Sequence, residues 1–278
     1  MKTAFEIGVI VIILVVMLGM VSNYTEDISD KMIKTQKTGN IEKMLSEVLD
    51  NIVNNPGKPD NWEEYNKGTP GLAIVSAEGN VVANSVSYHK LIALGKIYDE
   101  FDKSFEGKIK TSLELLPQKS SISSVKIGDE NEGEEIYSVN RWVKCDFYKK
   151  YVLKDFENAG KCNHNHKQSE NSCNYFKVFK GNLLTSDYYL ILDEDVEYII
   201  DTTRVVKERY WQNPTSDVIY LNPKINFYDD TSAIVFIHLN KADAKAVLVS
   251  VPKGFDRSFL EYDYFRTNEC QLILRGWY

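Results

Sequence analysis

Ile41-Glu42-Lys43-Met44-Leu45-Ser46-Glu47-Val48-Leu49-Asp50-Asn51-Ile52-Val53 is the stretch on which the reading of the chain turns. Ile41, Met44, Leu45, Val48, Leu49, Ile52 and Val53 recur at helical spacing and share one face, while the charged and polar residues take the other. Asn54-Asn55-Pro56-Gly57 stops the helix, with residues that tolerate left-handed geometry and a proline that cannot continue it. Upstream, the helical pattern runs back to Glu26 without proline, and Gly39-Asn40 marks a kink or short break. A helix with one apolar stripe has to bury it, so 41–53 is expected to pack on a larger body.

Further upstream lies Ile7 to Val21, fifteen residues without a polar side chain. Extended from Thr3 to Tyr24, the run approaches the roughly twenty residues that cross a bilayer as a helix. A cleaved signal is the competing reading. The residues after the run, Ser22-Asn23-Tyr24-Thr25-Glu26, make a poor small-x-small cleavage site, so a retained anchor is expected. Lys2 before the run and Glu26, Asp27 and Asp30 after it favour a cytoplasmic N-terminus and an outside head, although Lys31, Lys34 and Lys37 weaken the bias. The expected organisation is a transmembrane anchor at 1–24, an amphipathic stalk helix at 25–55 and an extracytoplasmic head at 56–278. The protein would then be a single-pass protein of the cell membrane whose residues 3–24 meet lipid. Asn23-Tyr24-Thr25 is an N-x-[ST] triplet on the outer side in that orientation.

Composition limits the function classes. The 278 residues carry 33 Lys+Arg against 40 Asp+Glu, a net charge of −7, and no basic face to release counterions from nucleic acid. A mean hydropathy of −0.33 excludes a polytopic membrane protein. The length allows one or two domains with ample core.

The head reads as α+β with mostly antiparallel strands. Leu72–Val75, the turn Glu78-Gly79-Asn80 and Val81–Ala83 make a hairpin. Ser87–Phe101 is helical, with Leu91, Leu94, Ile97, Tyr98 and Phe101 on one side. Tyr137–Phe147 alternates, placing Tyr137, Val139, Arg141, Val143, Cys145 and Phe147 on one face. Further strands are expected at Tyr188–Leu192, Ala233–Leu239, Ala246–Val251 and Gln271–Leu274. Val196–Tyr210 favours strand early and helix later.

The segment from Asn55 to Glu63, with Pro56-Gly57-Lys58-Pro59-Asp60-Asn61-Trp62, is followed by Pro70-Gly71-Leu72-Ala73 and the helix from Ser87. Together with the apolar N-terminus, this order resembles the G-x-P-x-N-W block, G-L-A strand and following helix of archaeal type IV pilin-like membrane-anchored proteins. It covers residues 1–102 and, more loosely, the strand at Cys270–Leu274. The resemblance implies a membrane-inserted subunit with an outward head, in some cases a filament component, and other pilin-like subunits as partners. It also singles out Glu6, whose carboxylate would neutralise the N-terminal amine of a neighbouring subunit. Placing Glu6 at the fifth mature position starts the chain at Lys2 and leaves no leader, so leader processing is not expected. The alternative for Glu6 is a carboxylate reaching into the headgroup layer.

Cys145, Cys162, Cys173 and Cys270 are an even set in a head placed outside the cell, and two disulfides are expected. Cys162 with Cys173 would close a polar loop, leaving Cys145 with Cys270. The rival is a zinc set of Cys162, His164, His166 and Cys173, which offers two sulfurs and two imidazoles at an unusual spacing. Asp129, Glu130, Glu132, Glu134 and Glu135 lack EF-hand spacing and read as a solvated loop, and Asp193-Glu194-Asp195 as a turn. His89 and His238 read as structural.

No G-x-S-x-G, P-loop, G-x-G-x-x-G or H-E-x-x-H occurs. Cys162 and His166 could be drawn as a nucleophile pair, but they stand in a polar loop without rigid support. No catalytic residue and no cofactor are expected. Two readings stay open: a structural or surface-assembly subunit, and a monomeric membrane-tethered protein that binds a ligand or partner.

Overall fold

Helix α1, residues 34–54 of the computed structural model, lays its stripe into the core. The structure describes residues 31–32, 34–105, 109–130, 133, 135–157, 159, 172–202 and 210–278. Ile41, Leu45, Leu49, Ile52 and Val53 are buried in one cluster with Leu113, Val143, Leu272 and Leu274. At roughly 1.5–3 kcal/mol for each fully buried aliphatic side chain, this face outweighs every polar contact the helix makes.

Among the described residues four short α-helices and thirteen strands follow. The helices are α2 (Trp62–Tyr65), α3 (Tyr88–Lys96), α4 (Tyr98–Asp102) and α5 (Asn182–Thr185). The strands of the first half are β1 (Ala73–Val75), β2 (Val81–Ser87), β3 (Lys110–Pro117), β4 (Val125–Gly128), β5 (Tyr137–Asp146) and β6 (Val152–Asp155). After them come β7 (Ser172–Phe179), β8 (Ser186–Leu192), β9 (Tyr198–Thr202), β10 (Val218–Tyr220), β11 (Ser232–Leu239), β12 (Ala246–Pro252) and β13 (Thr267–Trp277).

They form three sheets: a six-stranded one in the order β1-β2-β5-β13-β3-β4, a four-stranded one in the order β10-β8-β12-β6, and a three-stranded one in the order β7-β11-β9. All pairings are antiparallel except β2 with β5, which run parallel over Ser85–Ser87. Helix α1 packs on the inner face of the six-stranded sheet. The four-stranded sheet is buried on both faces. Tyr189, Ile191, Val247 and Val249 join the core that holds α1, while Tyr188, Leu190, Ala246 and Leu248 join a second core with Val178, Val235 and Ile237 of the three-stranded sheet. Its two central strands, β8 and β12, therefore read as largely apolar runs, as strands covered on both sides do, whereas the edge strand β6 carries Lys154 and Asp155. Aromatic rings fill the seam between the first two sheets: Tyr148 lies 5.0 Å from Phe255, 5.4 Å from Phe259 and 5.5 Å from Tyr88.

The hairpin, the strand from Tyr137 and the four later strands lie where the sequence put them, although β13 is longer at both ends, Thr267–Trp277, and the helix expected over Ser87–Phe101 breaks at Ile97 into α3 and α4. The fold class as a whole is corrected. The chain is β-rich with short helices after α1, and α1 is no stalk, because the sheet takes its apolar face along its length from Ile41. Among the described residues no helix is long and apolar enough to cross a membrane, so the single-pass membrane placement, with its inside N-terminus and outside head, is withdrawn. The segment on which it rested, residues 3–24, lies outside the described residues, as does Glu6.

The disulfide expectation is corrected as well. Cys145 on β5 and Cys270 on β13 are buried neighbours with free thiols. The register explains why. Cys145 stands opposite Asn268 and Cys270 opposite Val143, so the two are diagonal rather than directly opposed. Diagonal sheet partners lie about 7–8 Å apart, beyond the usual Cα separation of a disulfide. Burial, with Cys270 alongside, pushes the Cys145 thiol up. Cys162 lies outside the described residues, and its pairing with Cys173 with it.

Candidate functional site

The segment between α1 and β1 is tied into a knot. Trp62, fully buried in α2, donates its indole N–H to the Gly71 carbonyl at 2.9 Å. Lys58 and Thr69 exchange backbone hydrogen bonds at 2.9 and 3.0 Å. A Cβ on Gly71 would stand 2.2 Å from the Asn55 carbonyl oxygen, and one on Gly57, where φ is +90°, would stand 2.3 Å from the Trp62 ring. Only glycine allows these approaches. Leu72 and Ala73 then donate to the carbonyls of Ile52 and Asn55, joining the helix end to the first strand. Gly57, Trp62 and Gly71 thus do packing work.

Beside the knot is a cleft of about 540 Å³ between α2, β1, the start of α3 and the end of β5. Lys90 reaches its floor and donates to the carbonyls of Pro56 at 2.6 Å and Ala73 at 3.3 Å. Burial holds its pKa below the ordinary lysine value. His89 and Glu63 each present a buried polar atom, Nε2 and one Oε, with no hydrogen-bond partner. Burial, assisted by Lys150, lowers the His89 pKa to about 4, so the ring is neutral at neutral pH. Such orphaned acceptors are costly, and they suit a ligand that brings hydrogen-bond donors. Ser87 also lines the cleft, but His89 Nε2 accepts no bond from it, so the two do not form an activated nucleophile pair.

The other residues singled out in the sequence are dispersed. Among the acidic residues before β5, Asp129 pairs with Lys110 at 2.7 Å and Glu135 with Lys34 of α1 at 2.6 Å; Glu132 and Glu134 lie outside the described residues. Glu194 accepts from the Lys245 backbone at 2.8 Å and pairs with Lys241. Of the zinc set, Cys162, His164 and His166 lie outside the described residues. Cys173 lies on β7 directly opposite His238 of β11, whose imidazole is 3.5 Å from Asp201 of β9. That juxtaposition depends on two long-range strand pairings and leaves no local trace in the sequence. The same holds for the cleft: His89 and Lys90 are ordinary helix residues until α2 and β1 close over them.

Compared with known proteins, the chain matches no family model, no curated protein and no solved structure.

Proposed function

We propose that the chain is a non-catalytic structural subunit that assembles with further copies or related subunits through the N-terminal end of α1. The observation that carries this reading is the contrast along that one helix. From Ile41 onward its apolar face is taken up by the sheet, whereas Lys34, Thr35, Gln36 and Lys37 at its start are all exposed. This end is held in a fixed direction. Lys34 pairs with Glu135 at 2.6 Å, and the Lys37 ammonium sits 3.9 Å above the ring of Tyr278. A helix seated on the sheet along most of its length and solvent-exposed at its start offers that start as a contact element. The apolar run Ile7–Val21 upstream adds surface that gains from burial against a like segment, and Glu6 beside it would meet a neighbouring amine. The resemblance to pilin-like subunits supports the same reading.

Cross-linking tests it. In the full chain, Thr35→Cys treated with a short bis-maleimide is expected to give cross-linked dimers well above those of the parent chain. Leu184→Cys, on exposed α5, is expected to give no more than the parent chain. A monomer in both cases, with sedimentation of the untreated chain as a single monomer at all concentrations, overturns the proposal.

A further inference from the structure

The outer face of the six-stranded sheet, opposite α1, carries an arrangement that an assembly role through the helix does not use. Trp142 on β5 is 57% exposed there, whereas Trp62 and Trp277 are buried. In the ladder Trp142 stands opposite Gln271 of β13, which stands opposite Leu116 at the end of β3. One rung along, on the same face, Lys144 of β5 is flanked by Ser85 of β2 and Glu269 of β13, and the Gln118 backbone N–H donates to the Glu269 carbonyl at 3.0 Å. Lys144 and Glu269 are directly opposed yet form no ion pair with each other among the described residues.

Beside these two rungs the wall rises. Asn84 has a left-handed φ of +52°, and the β1–β2 pairing jumps from Ala73–Val86 to Ile74–Val82, so Ala83, Asn84 and Ser85 bulge out of the ladder. The result is a groove of about 540 Å³ over Trp142, Lys144, Gln118 and Glu269. That volume falls within the roughly 300–1,000 Å³ of small-molecule sites.

We infer that this groove binds a neutral saccharide, with the Trp142 indole as the stacking platform. An exposed indole face takes up the C–H face of a pyranose ring, where the ring is apolar. The adjoining rung then offers what a set of ring hydroxyls needs: the Gln118 amide as donor and acceptor, the Lys144 ammonium as donor and the Glu269 carboxylate as acceptor. The one positive and one negative charge cancel, which gives a charged ligand no advantage and a polyhydroxylated neutral one both kinds of partner. An extended apolar peptide, or a second copy stacking on this face, would have to cover both charges and leave their hydration unreplaced.

The full chain is titrated by calorimetry with a fixed panel of neutral hexasaccharides, namely gluco-, manno-, galacto- and N-acetylglucosamine oligomers. At least one is expected to bind, with affinity lowered tenfold or more by Trp142→Ala, several-fold by Glu269→Gln and by Gln118→Ala, and largely retained by Trp142→Tyr. Because Trp142 is exposed, its variants are expected to keep the parent melting temperature, which separates lost binding from lost folding. Absence of binding across the panel overturns the inference, as does binding that survives Trp142→Ala. Loss of self-association in Trp142→Ala would also overturn it, by giving the face to a second copy. Cross-linking at Thr35 and saccharide binding at Trp142 read out separately, so failure of one leaves the other standing.

Discussion

The four-stranded and six-stranded sheets bury the same kinds of residue to different ends. The four-stranded sheet lies between two cores, and Leu190 and Leu248 on one face and Ile191 and Val247 on the other are all closed off from water. The six-stranded sheet has one such face, against α1, and turns the other outward with Trp142, Lys144 and Glu269 exposed. The first sheet can only hold the molecule together, whereas the second both holds α1 and has a face left for binding. The layering therefore marks which face is left open before any motif does.

The sharpest break of this contrast is a pair of leucine truncations. Leu190→Ala, inside the second core, is expected to cost about 2–5 kcal/mol in urea unfolding, since the cavity is walled by two sheets and cannot collapse. Leu116→Ala, on the outer face of the six-stranded sheet and 43% exposed, is expected to change stability by less than about 0.5 kcal/mol. A large loss at Leu116 would mean that the outer face is covered.

Much of this layering can be read in the chain, though not all of it. Tyr188-Tyr189-Leu190-Ile191-Leu192 and Ala246-Val247-Leu248-Val249 announce strands, and their lack of alternation is the mark of burial on both sides. Tyr137–Asp146 alternates, which is the mark of a half-open sheet. What the α1 stripe does not say is what it packs against. An apolar face predicts burial on a larger body, which 41–53 finds, but not which sheet receives it. Cysteine pairing was likewise out of reach, because the offset between Cys145 and Cys270 is set by the β5–β13 register, over a hundred residues apart in the chain. The Trp142 groove depends on a bulge in β2 and on two further strands, so Trp142 alone reads as one more aromatic in a strand.

A smaller effect distinguishes the cleft beside the Trp62 knot from the groove on the sheet. His89 has a folded pKa of about 4, depressed by burial, against about 6.5 in the unfolded chain. Between those values the unfolded state binds the extra proton, so stability is whole above about pH 6.5 and falls as pH drops toward 4. Because the ring is only partly buried, solvent screening reduces the loss attributable to it to about 1–2 kcal/mol by pH 4. His89→Gln should flatten that part of the profile relative to the parent in urea midpoints taken from pH 7 to 4. An unchanged profile would place the ring in contact with water. Among the described residues the Trp142 groove has no such buried base, since Lys144 and Glu269, which line it, are exposed.

The smallest expected effect concerns how α1 is held to the six-stranded sheet. Arg141, on the inner face of β5, donates from Nε and Nη2 to the two Asp50 oxygens at 2.6 and 2.9 Å, and from Nη2 to Ser46 Oγ at 2.7 Å. The hydrogen bonds from Arg141 hold the Asp50 carboxyl below its ordinary pKa. The fork is well made, yet Asp50 is half exposed, so solvent screens the pair and it is worth roughly 0.5–1 kcal/mol at most. Because the folded pKa of Asp50 is depressed, this contribution is present above about pH 4 and lost as pH falls through the lower, folded value. A double-mutant cycle of Arg141→Ala with Asp50→Asn should therefore show a small coupling at pH 7 that shrinks as the pH falls toward 2. A Leu45→Ala variant, by contrast, should lose about 2–5 kcal/mol at both. If the cycle gave the larger number, charge would seat the helix on its sheet and the apolar stripe would be secondary. The burial of Leu45 and Leu49 to zero exposure, against a half-exposed Asp50, puts the weight on the stripe.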